Sequence, residues 1–223
     1  MTEAIAISLA SDAPSLRAEA RDQSTIRDAD AGLSLYLEAM STGTTYEQQR
    51  AVTGLSGIDD PRASKRIRGL AGGLLVAGGS TSPIAVEIHE AALRSADPET
   101  VAIGRAWSDR SMESTAEWSI ALAGGDAEAG ARVARYHPGA QCLRCHVIDG
   151  RGGDAGPKLN GLASRSDSAT ILQSVIDPQA VLVEGYGDAS AMPNLRSILT
   201  PREVRDLVAY LSTLEKVDES SGH

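Results

Sequence analysis

The most restrictive feature of this 223-residue sequence is one short motif, Cys142-x-x-Cys145-His146. Its two cysteines are the only cysteines in the chain. They cannot build a disulfide framework, and they cannot supply the four thiolates of a zinc or iron–sulfur site. Cysteines three positions apart lie on the same side of one helical turn. The motif therefore brings two thiols and an imidazole together within five residues.

This spacing is typical of c-type haem attachment, in which two thiols add to the haem vinyl groups and the adjacent imidazole approaches the iron. Three other interpretations stay open on the motif alone. A thioredoxin-like redox pair follows a strand, whereas the helical stretch 126–136 precedes Cys142. A zinc site needs two more ligands, and His89, His137 and His223 have no matching spacing. The third is a pair of buried thiols without a role.

The residues after the motif favour haem. A glycine-rich loop, 150–156, is able to run close to a flat macrocycle. The carbonyl of the Gly156-Pro157 turn is placed to accept the second ring N–H of His146 and so to orient the ring. Met192, in the turn-rich stretch 185–194, is well placed to reach the opposite haem face, and a His/Met pair raises the reduction potential.

The remaining pattern predicts an all-α protein. From residue 32 to about 124 the apolar spacing is helical nearly throughout, and no segment alternates at period two for long. We expect residues 1–124 to form a helical domain, either a HEAT-like repeat of paired helices or an irregular bundle. Gly124-Gly125 marks the predicted boundary with a second domain, 125–223.

Local signals refine this prediction. Asp-Pro pairs at 60–61 and 97–98 predict helix starts, and Thr200 to Glu203 form a capping box before a terminal helix. Residues 28–30 are predicted to be a loop. His89 stands between Glu87 and Glu90, and we expect it to be exposed.

Composition limits the partners. The formal net charge is −9, which argues against a nucleic-acid or anionic-membrane surface, and no run approaches the length of a membrane span. Phe is absent, so the core must use Leu, Ile, Val and Ala, which suits closely approaching helices. Residues 1–16 carry no export signal, so the chain is either cytoplasmic or lacks its signal.

Residues 125–215 resemble a class I cytochrome c. The resemblance rests on Gly130 in the first helix, the Cys142–His146 motif, the run 156–161 that matches Gly-Pro-x-Leu-x-Gly, Met192, and the terminal helix 205–211. It implies one covalently attached haem c, with the iron ligands His146 and Met192 and with a cofactor-binding set of Cys142, Cys145, His146, Pro157, Leu159, Arg165 and Met192. Arg165 occupies a position that often meets a haem propionate. The apolar residues expected around the haem are Leu159, Leu172, Val175, Ile176, Leu195 and Leu207.

A narrower resemblance includes the upstream helices. Together with the run 124–130, the motif and Val175–Pro178, they are similar to a haem module at the C-terminus of secreted dehydrogenase-like proteins of planctomycetes. This implies a periplasmic or secreted electron-transfer domain, rather than an enzyme in its own right, that accepts electrons from a fused or partner dehydrogenase. Two alternatives remain: an open haem face that binds peroxide or a gas, and a partner-docking role for the helical domain.

Overall fold

Helices dominate the computed structural model, which describes residues 2–78 and 80–215. Four 3₁₀ turns, at 116–121, 142–144, 162–164 and 195–197, accompany the regular elements. Within those residues there are ten α-helices and one two-stranded hairpin: α1 (Glu3–Leu9), α2 (Pro14–Arg27), α3 (Ala29–Thr42), α4 (Thr45–Leu55), α5 (Pro61–Ala77), α6 (Ala85–Leu93), α7 (Pro98–Glu113), α8 (Ala127–Tyr136), β1 (Val147–Ile148), β2 (Arg151–Gly152), α9 (Ser168–Ile176) and α10 (Pro201–Leu211). The prediction of an all-α protein is confirmed.

The chain divides into two compact units between Arg110 and Ser111. The sequence placed the boundary later, at Gly124, because the glycine pair there looked like a break. Trp118 explains the difference. Its side chain is 2% exposed and belongs to the core of the second unit, and its indole N–H donates to the carbonyl of Ser111 at 2.9 Å.

The first unit is built from helices that pack on their neighbours in sequence. α1 packs on α2, α2 on α3 and α3 on α4, while α6 contacts both α4 and α5. The predicted loop at 28–30 is wrong, since α2 ends at Arg27 and α3 begins at Ala29. Asp28 alone separates them, because its carboxylate accepts the free N–H groups of Asp30 and Ala31 and so starts α3 at once.

The prediction that His89 is exposed is also wrong, because its side chain is buried. It lies on α6, a helix whose residues are buried on nearly every side, including the neighbouring Glu87. The imidazole stacks at a tilt on Trp107, with 4.2 Å between ring centroids. Burial lowers the pKa of His89 to about 4. Flanking glutamates indicate exposure only on a helix that has a solvent face.

In the second unit α8 and α10 cross at Gly130. A Cβ added there would lie 1.9 Å from the carbonyl oxygen of Asp206, so only glycine permits this approach. The close approach of the terminal helix therefore depends on Gly130, one of the residues on which the resemblance to class I cytochrome c rests. The capping box at Thr200 is also present, with Glu203 accepting the N–H of Thr200 at 2.8 Å.

The core of the second unit lies between α8, α9, α10 and the turns at 116–121 and 195–197. Its buried side chains are Trp118, Ala121, Ala134, Ala140, Ile148, Ile171, Leu172, Val175, Ile176, Leu195, Leu199, Val204, Leu207, Val208, Tyr210, Leu211 and Leu214. Among the described residues, none of the helices combines the length and the apolar character that crossing a membrane requires.

Candidate functional site

The Cys142–His146 motif forms a tight turn in the second unit. Residues 142–144 are a 3₁₀ turn, and the N–H of His146 donates to the carbonyl of Cys142 at 2.9 Å, which closes one α-type turn across the motif. Gln141 begins this turn in the left-handed region, with φ at 44°. Both cysteines are free thiols, Cys142 partly buried and Cys145 exposed.

The imidazole of His146 is oriented by the loop that follows. Its Nδ1 lies 2.8 Å from the carbonyl oxygen of Pro157. Because a carbonyl can only accept, Nδ1 carries the proton and Nε2 keeps its lone pair for another partner. The sequence predicted this hydrogen bond.

Gly156 lets the loop lie against the ring. A Cβ at this position would be 2.7 Å from Cε1, 2.9 Å from Nδ1 and 3.2 Å from Nε2 of His146. The loop is fixed to the motif by backbone bonds from Gly153 to the carbonyl of Leu143, at 2.9 Å, and from Gly156 to that of Cys145, at 2.7 Å. The histidine ring is therefore held between the motif and the loop.

The motif opens onto a cavity of about 360 Å³ in the second unit. This volume is within the usual range for small-molecule and cofactor sites. The structure brings all seven of the predicted binding residues to its wall: Cys142, Cys145, His146, Pro157, Leu159, Arg165 and Met192.

The apolar residues that were predicted to surround the haem fall into two groups, those that line the cavity and those that do not. Leu159, Val175, Leu195 and Leu207 line the cavity, and so does Ile171, which the sequence analysis missed. Leu172 and Ile176 instead lie in the core away from the cavity. On α9, residues three and four apart share one face, so Ile171, Ser174 and Val175 face the cavity together while Leu172 and Ile176 do not.

Sequence reasoning also missed the aliphatic and aromatic side chains of the loop before Met192. Val181, Leu182, Val183 and Tyr186 all line the cavity, although Leu182, Val183 and Tyr186 are about half exposed. No spacing rule could find them, because residues 177–194 form neither helix nor strand. Met192, partly buried, follows them.

Arg165 brings a positive charge to the same wall. Its guanidinium donates to the carbonyl of Asn160 at 2.9 Å and to the carbonyl of Lys158, which holds the side chain over the turn at 162–164. A fixed guanidinium at the edge of an apolar cavity is suited to a carboxylate of a bound group.

The geometry bears on the other interpretations of the motif. Burial raises the pKa of the Cys142 thiol, whereas a thioredoxin-like nucleophile needs a lowered one. Within residues 2–78 and 80–215, no three His, Cys, Asp or Glu side chains gather as a set that could hold a metal ion, so the zinc interpretation finds no ligand set there.

Comparison with protein families adds independent information. The family model for cytochrome c matches residues 127–215. A cytochrome c domain lies at the C-terminus of this chain. Comparison with curated proteins and with solved structures found no match. The cytochrome c family implies a covalently bound haem c and haem-based electron transfer.

The residues of the cytochrome c domain fit such a group. Two thiols, an imidazole with a free Nε2 and a thioether line one mainly apolar cavity. Gly156 leaves the space in which the ring of His146 lies flat against the loop. Imidazole and thioether are the donors that hold haem iron in cytochromes c, and two thiols at this spacing are those that c-type attachment uses.

Proposed function

We propose that this protein carries one electron at a time through a single haem c, attached through Cys142 and Cys145 and ligated by His146 and Met192. The observation that carries the proposal is the meeting of all four side chains at one cavity, with the proton of His146 fixed on Nδ1. Haem, when bound, supplies the one-electron chemistry.

The chain's own residues set the conditions for that transfer. The hydrogen bond from Nδ1 to Pro157 makes the imidazole of His146 a better donor and prevents rotation of the ring. Apolar walls such as Val175, Leu195 and Leu207 lower the local dielectric, which disfavours the more highly charged ferric state and raises the potential. Arg165 neutralises a propionate.

We further propose that electrons arrive from a redox partner, a fused or separate dehydrogenase of the kind found in secreted planctomycete proteins. One support is the resemblance, drawn from the sequence alone, between that haem module and the motif with its flanking segments. A second support is apolar exposure beside the cavity, since Leu182, Val183 and Tyr186 remain 47%, 47% and 46% exposed. Clustered exposed apolar side chains mark protein contacts.

A periplasmic or secreted location belongs to the same proposal. Covalent haem attachment takes place outside the cytoplasm, so the mature protein must be exported. Fractionation of cells that produce the full-length protein tests this, because the proposal requires the haem-bearing chain outside the cytoplasm.

Replacement of Met192 tests the ligation. The Met192→Ala variant should keep its covalent haem, lose the Met–iron charge-transfer band, show a lower potential and bind carbon monoxide readily when reduced. Met112→Ala is the matched control, because Met112 is 49% exposed and lies outside the cavity. An unchanged spectrum and potential in Met192→Ala, or ready carbon monoxide binding by the reduced wild type, would contradict the proposed ligation.

A further inference from the structure

The segment that carries Met192 is held by few backbone contacts. Residues 177–194 contain no helix or strand. Within the described stretch 181–193, one backbone–backbone hydrogen bond is made, from Tyr186 to the carbonyl of Val183 at 3.2 Å. Gly185 and Gly187 have φ near 90°, a region that other residues rarely adopt. Backbone pairing alone therefore does not fix the position of Met192.

A side-chain clasp closes the neck of this loop. The amide of Gln179 makes two hydrogen bonds to the backbone of Ser190: its Nε2 donates to the carbonyl at 2.8 Å, and its Oε1 accepts the N–H at 3.2 Å. Only one orientation of the amide satisfies both bonds, since each backbone group has a fixed role. Loops with ends this close are compact units that are often functional.

The clasp continues directly to Met192. The hydroxyl oxygen of Ser190 accepts the N–H of Met192 at 3.2 Å. At the other end, Gln179 follows Pro178, which is buried just beyond α9, the helix that supplies Val175 to the cavity. A continuous set of contacts thus runs from a helix of the core through Gln179 and Ser190 to the methionine.

We infer that Gln179 is a positioning residue that holds Met192 in the cavity as an iron ligand. The inference rests on the proposed ligation by Met192. Gln179 itself does not line the cavity, so it acts through Ser190. Without the clasp, residues 190–192 gain the backbone conformational freedom of a glycine-containing loop. The methionine therefore leaves the cavity more often.

Imidazole binding to the oxidised, full-length haem protein measures this directly, because added imidazole must displace the methionine. Loss of the two hydrogen bonds in Gln179→Ala should tighten imidazole binding about fivefold to tenfold and weaken the Met–iron band. Gln179→Glu keeps the acceptor but sets a carboxylate oxygen against the carbonyl oxygen of Ser190 in place of the donor, so it should also tighten imidazole binding. Gln173→Ala is the control, because among the described residues the Gln173 amide bonds to Asp177, at 3.4 Å, and makes no bond to the loop that carries Met192.

A double variant distinguishes the positioning of Met192 from a general loosening of the loop that would open the cavity. In the Met192→Ala background, Gln179→Ala should leave imidazole affinity unchanged, since no methionine remains to be held. The same fold-increase in that background would overturn the inference, because Gln179 would then control access to the cavity rather than Met192. Wild-type affinity in Gln179→Ala alone would also overturn it.

Failure of the proposed ligation gives a different result. If Met192→Ala binds imidazole as the wild type does, Met192 is not the displaced ligand, whatever Gln179 does. If Met192→Ala binds tightly and Gln179→Ala does not, the ligation stands and the clasp has no part in it. Hydrogen exchange at the Ser190 amide provides a readout independent of the iron, and it should become faster in Gln179→Ala.

Discussion

Replacement of Gly130 by alanine tests the crossing of α8 and α10 on which the cytochrome c domain is built. The new Cβ would lie 1.9 Å from the oxygen and 2.5 Å from the carbon of the Asp206 carbonyl. Both are backbone atoms, so no side-chain rotation relieves the contact. Ordinary contact begins at 3.4 Å, and the helices must therefore separate by about 1.5 Å at this point.

The expected loss of stability follows from two opposing effects. Overpacking of a close contact costs about 3 kcal/mol at the upper end of its usual range, because the helices separate and the core around Tyr210 loosens. Alanine is favoured over glycine within a helix by about 1 kcal/mol. The net destabilisation is about 2 kcal/mol, and it falls on the second unit.

Urea unfolding provides the assay, with haem absorption reporting on the second unit and far-ultraviolet circular dichroism on both. Gly73→Ala is the matched control, since Gly73 is an exposed position inside α5 with no atom within 4 Å of an added Cβ. It should stabilise the first unit by up to about 1 kcal/mol. If Gly130→Ala is as stable as the wild type, the helices do not cross as closely as described.

Three further substitutions have definite outcomes. An unfolded histidine takes up a proton near pH 6.5, whereas burial lowers the pKa of His89 to about 4, so the first unit loses up to about 3 kcal/mol as the pH falls through this window. His89→Leu should reduce the slope of unfolding free energy against pH, most clearly above about pH 5.5, because carboxyls such as that of Glu47 contribute only at lower pH. Glu47 is 1% exposed and forms ion pairs with Arg17 and Arg21, each at 2.7 Å. These pairs hold the pKa of its carboxyl well below its usual range. Glu47→Gln leaves both guanidinium groups without their carboxylate, and it should destabilise the first unit by about 3 kcal/mol in urea unfolding. Gly156→Ala should push the ring of His146, shift the haem spectrum and lower stability by about 1–2 kcal/mol.

Control variants and contrary results check these predictions. Glu99→Gln, at an exposed ion pair with Arg68, should change stability by less than about 1 kcal/mol, and an equal effect from Glu47→Gln would contradict its buried role. Gly150→Ala is the control for Gly156→Ala. It strains the same loop, because Gly150 has a φ of 74°, but no atom lies within 4 Å of the added Cβ, so the haem spectrum should stay unchanged. An unchanged slope above about pH 5.5 in His89→Leu would assign the pH dependence there to another group.

The sequence predicted the all-α fold class and the side chains that meet at the cavity, but it did not predict the boundary between the two units or the burial of His89. The motif, Pro157 and Met192 were recognisable because thiol spacing, a turn proline and a turn-rich stretch around a methionine are all local features of the sequence. Local features of this kind determine the backbone geometry around them. The hydrogen bond from His146 to Pro157, for example, has the partners that were predicted.

Other features depend on contacts that a sequence pattern does not contain. His89 is buried because α6 is surrounded, although Glu87 and Glu90 lie close to it in sequence. The clasp between Gln179 and Ser190 joins residues in a loop without periodicity. Asp28 shortened a predicted loop to one residue because a single carboxylate caps the next helix.

The mass of the mature full-length protein tests the central claim most directly. The account predicts the mass of the polypeptide plus one haem, retained under denaturing conditions and lost when Cys142 and Cys145 are both replaced by alanine. A denatured mass equal to that of the bare polypeptide, or haem that stays attached in the double alanine variant, would contradict it.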